Sequence, residues 1–205
     1  MVIGLAAIVV ASTLAAQEVA PAPAAPTASD RLRAATSVLN DLPGLTLTGY
    51  EVSGRSPNAV RRAMNSARPP AGTDRERHDA LTSWRYSTRW RNGSDGQCSP
   101  ATAEVAVTIT VVLPDLTTRE QLSSRERADW DRYFTALVGH EHNHGRIAIA
   151  GRDQMQAAMR VSASCEAMQA VVRQTSNEVS AASREYDRLT EHGKLEGAVY
   201  PSETR

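Results

Sequence analysis

The residues best suited to chemistry form one short run, His140-Glu141-His142-Asn143-His144, which contains the motif His-Glu-x-x-His. On a helix, His140 and His144 are one turn apart, so both imidazoles leave the same face. Two histidines at this spacing can share one zinc ion through bonds of about 2.0–2.1 Å. Glu141 lies about 100° round the helix from His140, where its carboxylate can take a proton from a water molecule that zinc activates. The run therefore predicts a zinc site with Glu141 as general base.

The remaining histidine of the run faces elsewhere. His142 lies about 200° round the helix from His140, so it cannot reach the same ion. We expect it at the surface or among the groups behind the ligands. The alternative interpretation is a histidine-rich helix face with incidental affinity for metals, because three of the five histidines in the chain lie here.

The motif supplies two ligands, whereas a catalytic zinc site has three protein ligands and water in the fourth position. The extended motif that adds a third histidine is absent, because Ile147 and Ala150 occupy the positions of its glycine and histidine. The third ligand must therefore come from later in the chain. The candidates are Glu166, Glu178, Glu185, Asp187, Glu191 and His192. If two antiparallel helices follow one another here, the point opposite His144 lies near residues 183–189, within reach of Asp187 and His192.

Helical patterns surround the histidine run. Ser123-x-x-Glu126 is a capping box, as is Thr117-x-x-Glu120, and no proline interrupts the chain from about residue 124 to residue 159. Apolar residues then recur at spacings of three and four from about residue 165 to residue 189, which predicts a second packed helix. Gly193 is expected to cap its C-terminus. The histidine run thus lies on a long helix that a second helix follows.

The first half of the chain shows the two-residue alternation of β-strands. Three segments have it, at residues 45–52, 81–91 and 103–113, and a short helix is expected at residues 56–66. A turn joins the last two strands, so we expect them to pair antiparallel, and Pro114 is expected to end the third. These patterns predict an α+β fold in which a small antiparallel sheet precedes the long active-site helix and a second packed helix.

The N-terminus predicts export. Residues 2–16 carry no charge and are too few for a comfortable membrane span, which needs about 20. Together with residue 1 they fit a secretory signal peptide, although the first basic residue is Arg31; the alternative is an uncleaved segment that tethers the protein to a membrane. Residues 17–29 form a Pro/Ala-rich linker. The folded domain is therefore expected over residues 30–205.

The composition limits the possible functions. The 23 basic and 23 acidic residues give no net charge, which argues against electrostatic binding of nucleic acid. A chain of 205 residues, 41% hydrophobic, is long enough for one globular domain with its own core. The two cysteines, Cys98 and Cys165, form an even pair, which in an exported protein predicts one disulfide.

The chain also resembles a bacterial family of uncharacterised domains described as predicted secreted zinc-dependent proteases. The resemblance runs from about residue 45 to residue 200. Its blocks are Tyr50-Glu51-Val52-Ser53-Gly54, Thr82-Ser83-Trp84-Arg85-Tyr86, Cys98 before a strand ending in Leu113-Pro114, the histidine run, Cys165, and Tyr186-Asp187-Arg188-Leu189-Thr190-Glu191-His192-Gly193. The chain departs from the family pattern at Glu196, where glutamine is usual.

This resemblance implies a zincin-like fold and a zinc peptidase. It favours His192 as the third ligand of zinc, with Asp187 as the alternative ligand or as a carboxylate behind the ligands. We therefore expect a periplasmic or secreted metallopeptidase that acts on peptides or proteins, with Glu141 as general base. The strand near residues 84–90 is expected to align an extended peptide at a sheet edge, and Tyr186 and Tyr200 are candidate oxyanion donors. The alternative is a periplasmic zinc-binding or envelope interaction module without turnover.

Overall fold

The computed structural model describes residues 28–68, 78–93 and 98–201. The predicted signal segment at residues 2–16, and all of the predicted linker except its last two residues, lie outside the described residues. Among the helices that are described, none is long and apolar enough to cross a membrane.

The described chain has an α+β architecture, as predicted. In chain order its main elements are α1 (Asp30–Ala35), β1 (Leu45–Val52), α2 (Pro57–Ala67), β2 (Leu81–Asn92), β3 (Cys98–Leu116), α3 (Ser124–Arg160) and α4 (Cys165–Thr190). Short 3-10 helices lie at Ser37–Asp41, Arg119–Gln121 and Lys194–Glu196. The predicted strands and long helices are confirmed at their predicted places, because long periodic patterns are the strongest local signal in a sequence.

The three strands form one mixed sheet in the order β1-β3-β2. β2 runs antiparallel to β3, as predicted, with Trp84 opposite Ile109. β1 runs parallel to β3, with Leu45 opposite Ile109, so the prediction of a purely antiparallel sheet is wrong. A parallel pair needs a long connection between its strands, and α2 with β2 supplies that connection between β1 and β3.

Pro114 does not end the third strand, which continues to Leu116. Backbone N–H groups alternate between the two sides of a strand, and Ile109 donates its N–H to the Gly44 carbonyl on the β1 side. The nitrogen of Pro114 therefore faces the β2 side, where pairing with β2 stops at Val112. Proline has no N–H to donate, but no described strand lies on that side of Pro114, so the sheet loses no hydrogen bond there.

The two long helices form an antiparallel hairpin that packs on the sheet. The predicted capping box starts α3: the Ser123 hydroxyl accepts from the Glu126 N–H, and the Glu126 carboxylate accepts from the Ser123 N–H. The second predicted box, at Thr117, does not form, because the Thr117 hydroxyl donates to the Val52 carbonyl instead. Only the 3-10 helix at Arg119–Gln121 follows it.

The predicted disulfide between Cys98 and Cys165 is confirmed, and it joins the start of β3 to the first residue of α4. A small second core lies beside it, with Met155, Met159 and Met168 fully buried. The disulfide therefore ties the turn of the helical hairpin to the sheet, and bonds of this kind persist in oxidising compartments.

The main core fills the space between the sheet and α3. Its members include Val107, Ile109, Val111, Leu113, Trp130, Phe134, Leu137 and Val138. β2 runs beside the middle of α3, since the Tyr86 hydroxyl donates to the Ala148 carbonyl over 2.7 Å. The Thr82 hydroxyl donates to the Glu141 carboxylate over 2.7 Å. The start of β2 thus lies against the histidine run.

A tight turn follows α4. Glu191, His192 and Gly193 all have left-handed backbones, with φ values of 50°, 54° and 80°. Glu191 is the cap residue, so the predicted cap at Gly193 is two residues too late. Gly193 instead allows a close approach, since a Cβ there would lie 3.0 Å from Cγ of His140. The turn therefore brings the last segment of the chain against the motif.

Candidate metal centre

Three ligand atoms converge at the middle of the helical hairpin. His140 and His144 lie on the inward face of α3, with only 4% and 6% of their surface exposed, and Asp187 of α4 faces them. Nε2 of His140 and Nε2 of His144 lie 3.1 and 3.0 Å from Oδ1 of Asp187. The two Nε2 atoms are 3.1 Å apart. In the described part of the chain, this is the one group of histidine, cysteine and acidic residues close enough to hold a metal ion.

The chemistry of this group fits a cation. His140 lies between two carboxylates, with Glu196 Oε2 2.8 Å from its Nδ1 and Asp187 Oδ1 3.1 Å from its Nε2. A neutral imidazole carries one N–H, so one carboxylate would face a lone pair unless a second proton or a metal ion lies there. Tetrahedral zinc with bonds of about 2.0–2.1 Å separates its ligand atoms by about 3.3–3.4 Å. The distances of 3.0–3.1 Å observed here are close to that spacing.

Other side chains contact the far ring nitrogens of the two candidate histidine ligands. The Ser183 hydroxyl lies 2.9 Å from Nδ1 of His144, and Glu196 bonds Nδ1 of His140. Partners of this kind set the orientation of a histidine and direct its other nitrogen toward a metal. Both histidines therefore present Nε2 to the same point.

Tyr186 contacts both His140 and its partner Glu196. Its hydroxyl donates to Oε1 of Glu196 over 2.7 Å and accepts from the Asn143 amide over 2.8 Å. Its ring stacks on His140, with 4.9 Å between the ring centroids. Burial, with help from the Glu196 carboxylate, raises the pKa of Tyr186, so the phenol remains a hydrogen-bond donor. Its hydroxyl is thus engaged, which argues against the oxyanion role expected for Tyr186.

Charge is balanced inside the centre. Burial opposes a positive charge on His140, but the carboxylates of Asp187 and Glu196 outweigh it and raise the pKa of His140. Burial likewise opposes ionisation of Asp187, but hydrogen bonds to His140 and His144 hold the pKa of that carboxyl well below its usual range. Asp187 is therefore the anion that a metal ligand has to be.

Glu141 lies next to the ligands but is turned toward the sheet. It is 4% exposed, and its Oε2 accepts the hydroxyl hydrogen bond of Thr82. Burial raises the pKa of Glu141, while the Thr82 hydrogen bond and the two histidines oppose that rise. The predicted general base thus lies beside the group of three and does not belong to it.

The centre opens into a cleft of about 510 Å³. Leu81, Thr82 and Trp84 at the start of β2 form one wall, and Ser183 and Arg184 of α4 line another. β2 is at one edge of the sheet, as expected for the strand at residues 84–90. No described strand pairs with the outer side of β2, so its backbone can accept an extended chain beside the centre.

His192, which the family resemblance favours as the third ligand, lies at the rim. Its side chain is 46% exposed, and its Nδ1 is 3.6 Å from Oδ1 of Asp187. The structure brings the alternative ligand, Asp187, to the histidines. The reason is helical register, because Asp187 is one turn after Ser183 on the same face of α4, whereas the helix has ended before His192.

The other candidate residues lie elsewhere. Glu178 bonds Gln154 and Gln174, and Glu185 pairs with Arg188. His142 contacts Asp41 at 2.8 Å, as its position on another face predicts. Glu166 and Glu191 do not belong to the ligand group found among the described residues. Tyr200, the second candidate oxyanion donor, is 2% exposed and packs between aromatic rings.

Three residues that contact the site, Thr82, Ser183 and Glu196, were not assigned to it from the sequence. The position of Thr82 on the inward face of β2 could have been predicted, because it alternates in step with Trp84 and Tyr86. The position of Ser183 could also have been predicted, as the residue one turn before Asp187 on α4. For Glu196 the one signal is the family pattern, in which this position is usually glutamine, because a turn and no periodic pattern places its 3-10 helix against His140.

Comparison with known proteins gives one match. A family model with the description "Bacterial protein of unknown function (DUF922)" matches residues 47–193. The matched region contains the histidine run and Asp187, and the description assigns no activity. No curated protein and no solved structure matches the chain.

Proposed function

The chain belongs to DUF922, a bacterial family of unknown function, and for this member we propose the activity of a zinc-dependent peptidase. One observation carries the proposal. Two histidine nitrogens and one carboxylate oxygen lie within 3.0–3.1 Å of one another, and the Glu141 carboxylate lies next to them at the floor of an open cleft. This is the set of groups that metal-assisted hydrolysis uses.

Three side chains would bind the zinc ion. His140 and His144 would hold zinc through Nε2, and Asp187 would hold it through Oδ1, which leaves a position open toward the cleft. When bound, zinc would supply a Lewis acid that polarises a carbonyl group and lowers the pKa of a water molecule to about 7. Ser183 and Glu196 keep both rings in the orientation that this binding needs.

Glu141 would move the proton. Thr82 holds its Oε2, so Oε1 is the oxygen that accepts a proton from the attacking water. The water oxygen bonds to the carbonyl carbon of the peptide, the C–N bond breaks, and Glu141 returns the proton to the leaving nitrogen. Each cleavage consumes one water molecule and yields one carboxylic acid and one amine.

The shape of the cleft supports an extended substrate. The open edge of β2 lies beside Glu141, so a peptide could pair with it as an additional strand. The disulfide supports a location in an oxidising compartment, which in a bacterium is the periplasm or the exterior. A peptide or protein substrate outside the cytoplasm therefore agrees with both features.

The test separates the peptidase from a zinc-binding module without turnover. The purified domain is expected to hold one zinc ion per chain and to cleave members of a broad peptide library. Glu141→Gln leaves the ligands in place, so zinc content should persist while hydrolysis falls by about 10²–10⁴-fold. Glu178→Gln, an exposed change on α4, is the matched control. A zinc-loaded wild type without hydrolysis would support the zinc-binding module instead.

A further inference from the structure

His192 occupies an unusual position for an exposed residue. Its ring lines the cleft and stacks on His78, with 4.8 Å between ring centroids and 28° between the planes. Its Nδ1 is 3.6 Å from the ligand oxygen of Asp187, which is beyond hydrogen-bond distance. His192 thus stands beside the ligands, held by a neighbouring ring and reachable from the cleft.

The backbone of His192 is strained as well. Its φ of 54° lies in the left-handed region, which His192 shares with Glu191 and Gly193 in the turn that ends α4. The His192 N–H donates to the Asp187 carbonyl over 2.8 Å. The residue that supplies a ligand oxygen therefore also fixes the backbone of His192, so the position of His192 is coupled to the metal centre.

The carbonyl oxygen gains negative charge in the transition state of peptide hydrolysis, and a hydrogen-bond donor beside it adds to the stabilisation that a metal ion would supply. Several donors near the centre are engaged elsewhere or closed off from the cleft. The Tyr186 hydroxyl contacts Glu196 and Asn143. The Tyr200 hydroxyl has no hydrogen-bond partner among the described residues, but it is fully buried among aromatic rings and cannot be reached from the cleft. Arg61 is bound by Asp79.

We propose that His192 is a catalytic residue that donates an N–H hydrogen bond to the oxygen of the scissile carbonyl as charge develops there. The proposal rests on the peptidase function proposed above. His78 is a positioning residue, because its ring stacks on that of His192 and joins the segment before β2 to the turn after α4. His192 therefore contributes to turnover without being a ligand of the metal.

The experiment compares four variants with the wild type. His192→Phe keeps an aromatic ring for stacking on His78 but removes the N–H donor, and His192→Gly removes the donor while relieving the backbone strain. His192→Gln keeps a donor. His142→Phe changes a histidine that contacts Asp41 away from the cleft, and it serves as the control. The measurements are zinc content, kcat and KM on a cleaved peptide, and the affinity for a peptide phosphonate that resembles the tetrahedral transition state.

All variants are expected to hold one zinc ion per chain. In His192→Phe and His192→Gly, kcat should fall by about 10²–10³-fold, with KM changed little and phosphonate affinity reduced by a similar factor. His192→Gln should recover part of the loss, and the His142 control should match the wild type.

Three results would overturn the proposal. Loss of zinc from every His192 variant would make His192 a ligand. Unchanged kcat in a folded, zinc-loaded His192→Phe or His192→Gly, or an effect on KM alone, would exclude transition-state stabilisation. A zinc-loaded wild type that cleaves no peptide would refute the peptidase function, and this inference with it.

Discussion

Replacing Glu196 by alanine should weaken zinc binding without unfolding the protein. Glu196 contacts His140 Nδ1 at 2.8 Å and the Tyr186 hydroxyl at 2.7 Å, and its side chain is 31% exposed. Removing it frees the His140 ring to turn and lowers the basicity of the ligand nitrogen. Loss of such a partner weakens metal affinity by about 10–100-fold, which corresponds to about 1.4–2.7 kcal/mol of binding free energy.

Glu196→Gln is the informative companion. Glutamine is the residue that the family resemblance leads us to expect here, and its carbonyl oxygen can still accept from Nδ1 of His140. It lacks the negative charge, so we expect a smaller loss of zinc affinity than for Glu196→Ala. The comparison separates the orienting hydrogen bond from the charge.

The assay is competition for zinc against a chelating indicator at neutral pH, with folding checked by circular dichroism. Glu185→Ala is the matched control, because Glu185 is exposed and pairs only with Arg188 among the described residues. A change below threefold in Glu196→Ala would show that Glu196 does not position His140. Equal losses in the alanine and glutamine variants would show that the charge matters more than the hydrogen bond.

Three further predictions concern the ligand, the disulfide and alkaline pH. Asp187→Asn should abolish stoichiometric zinc binding in metal analysis, while His142→Ala should retain it; the reverse result would reject the ligand group. Opening the Cys98–Cys165 disulfide, which spans 67 residues, should lower the free energy of unfolding by about 4 kcal/mol in urea titrations; an unchanged midpoint would contradict this. Burial and Asp79 raise the pKa of Tyr133 well above 10. The free energy of unfolding should therefore be unaffected by this residue below pH about 10 and should fall above it, more steeply in the wild type than in Tyr133→Phe.

Local patterns in the sequence determined the elements and two of the three side chains of the candidate metal centre. The spacing of His140 and His144 follows from the helical period, so their shared face could be known without a fold. The same holds for the inward face of β2, and for the start of α3 at Ser123. The even pair of cysteines, together with the export pattern, likewise predicted the disulfide that the structure contains.

Only the tertiary structure decided which distant residues complete the centre. On a straight-helix estimate, Asp187 and His192 are both within reach of the histidines. Because α4 ends at Thr190, Asp187 remains on the helix face that meets the histidines, whereas His192 lies beyond the helix. Thr82 and Glu196 come from other elements, and the parallel pairing of β1 depends on how α2 and β2 return the chain to β3. Periodicity specifies the face on which a residue lies, because that is a local property of the backbone. The partner that meets that face depends on the packing of the whole core, which no local pattern encodes.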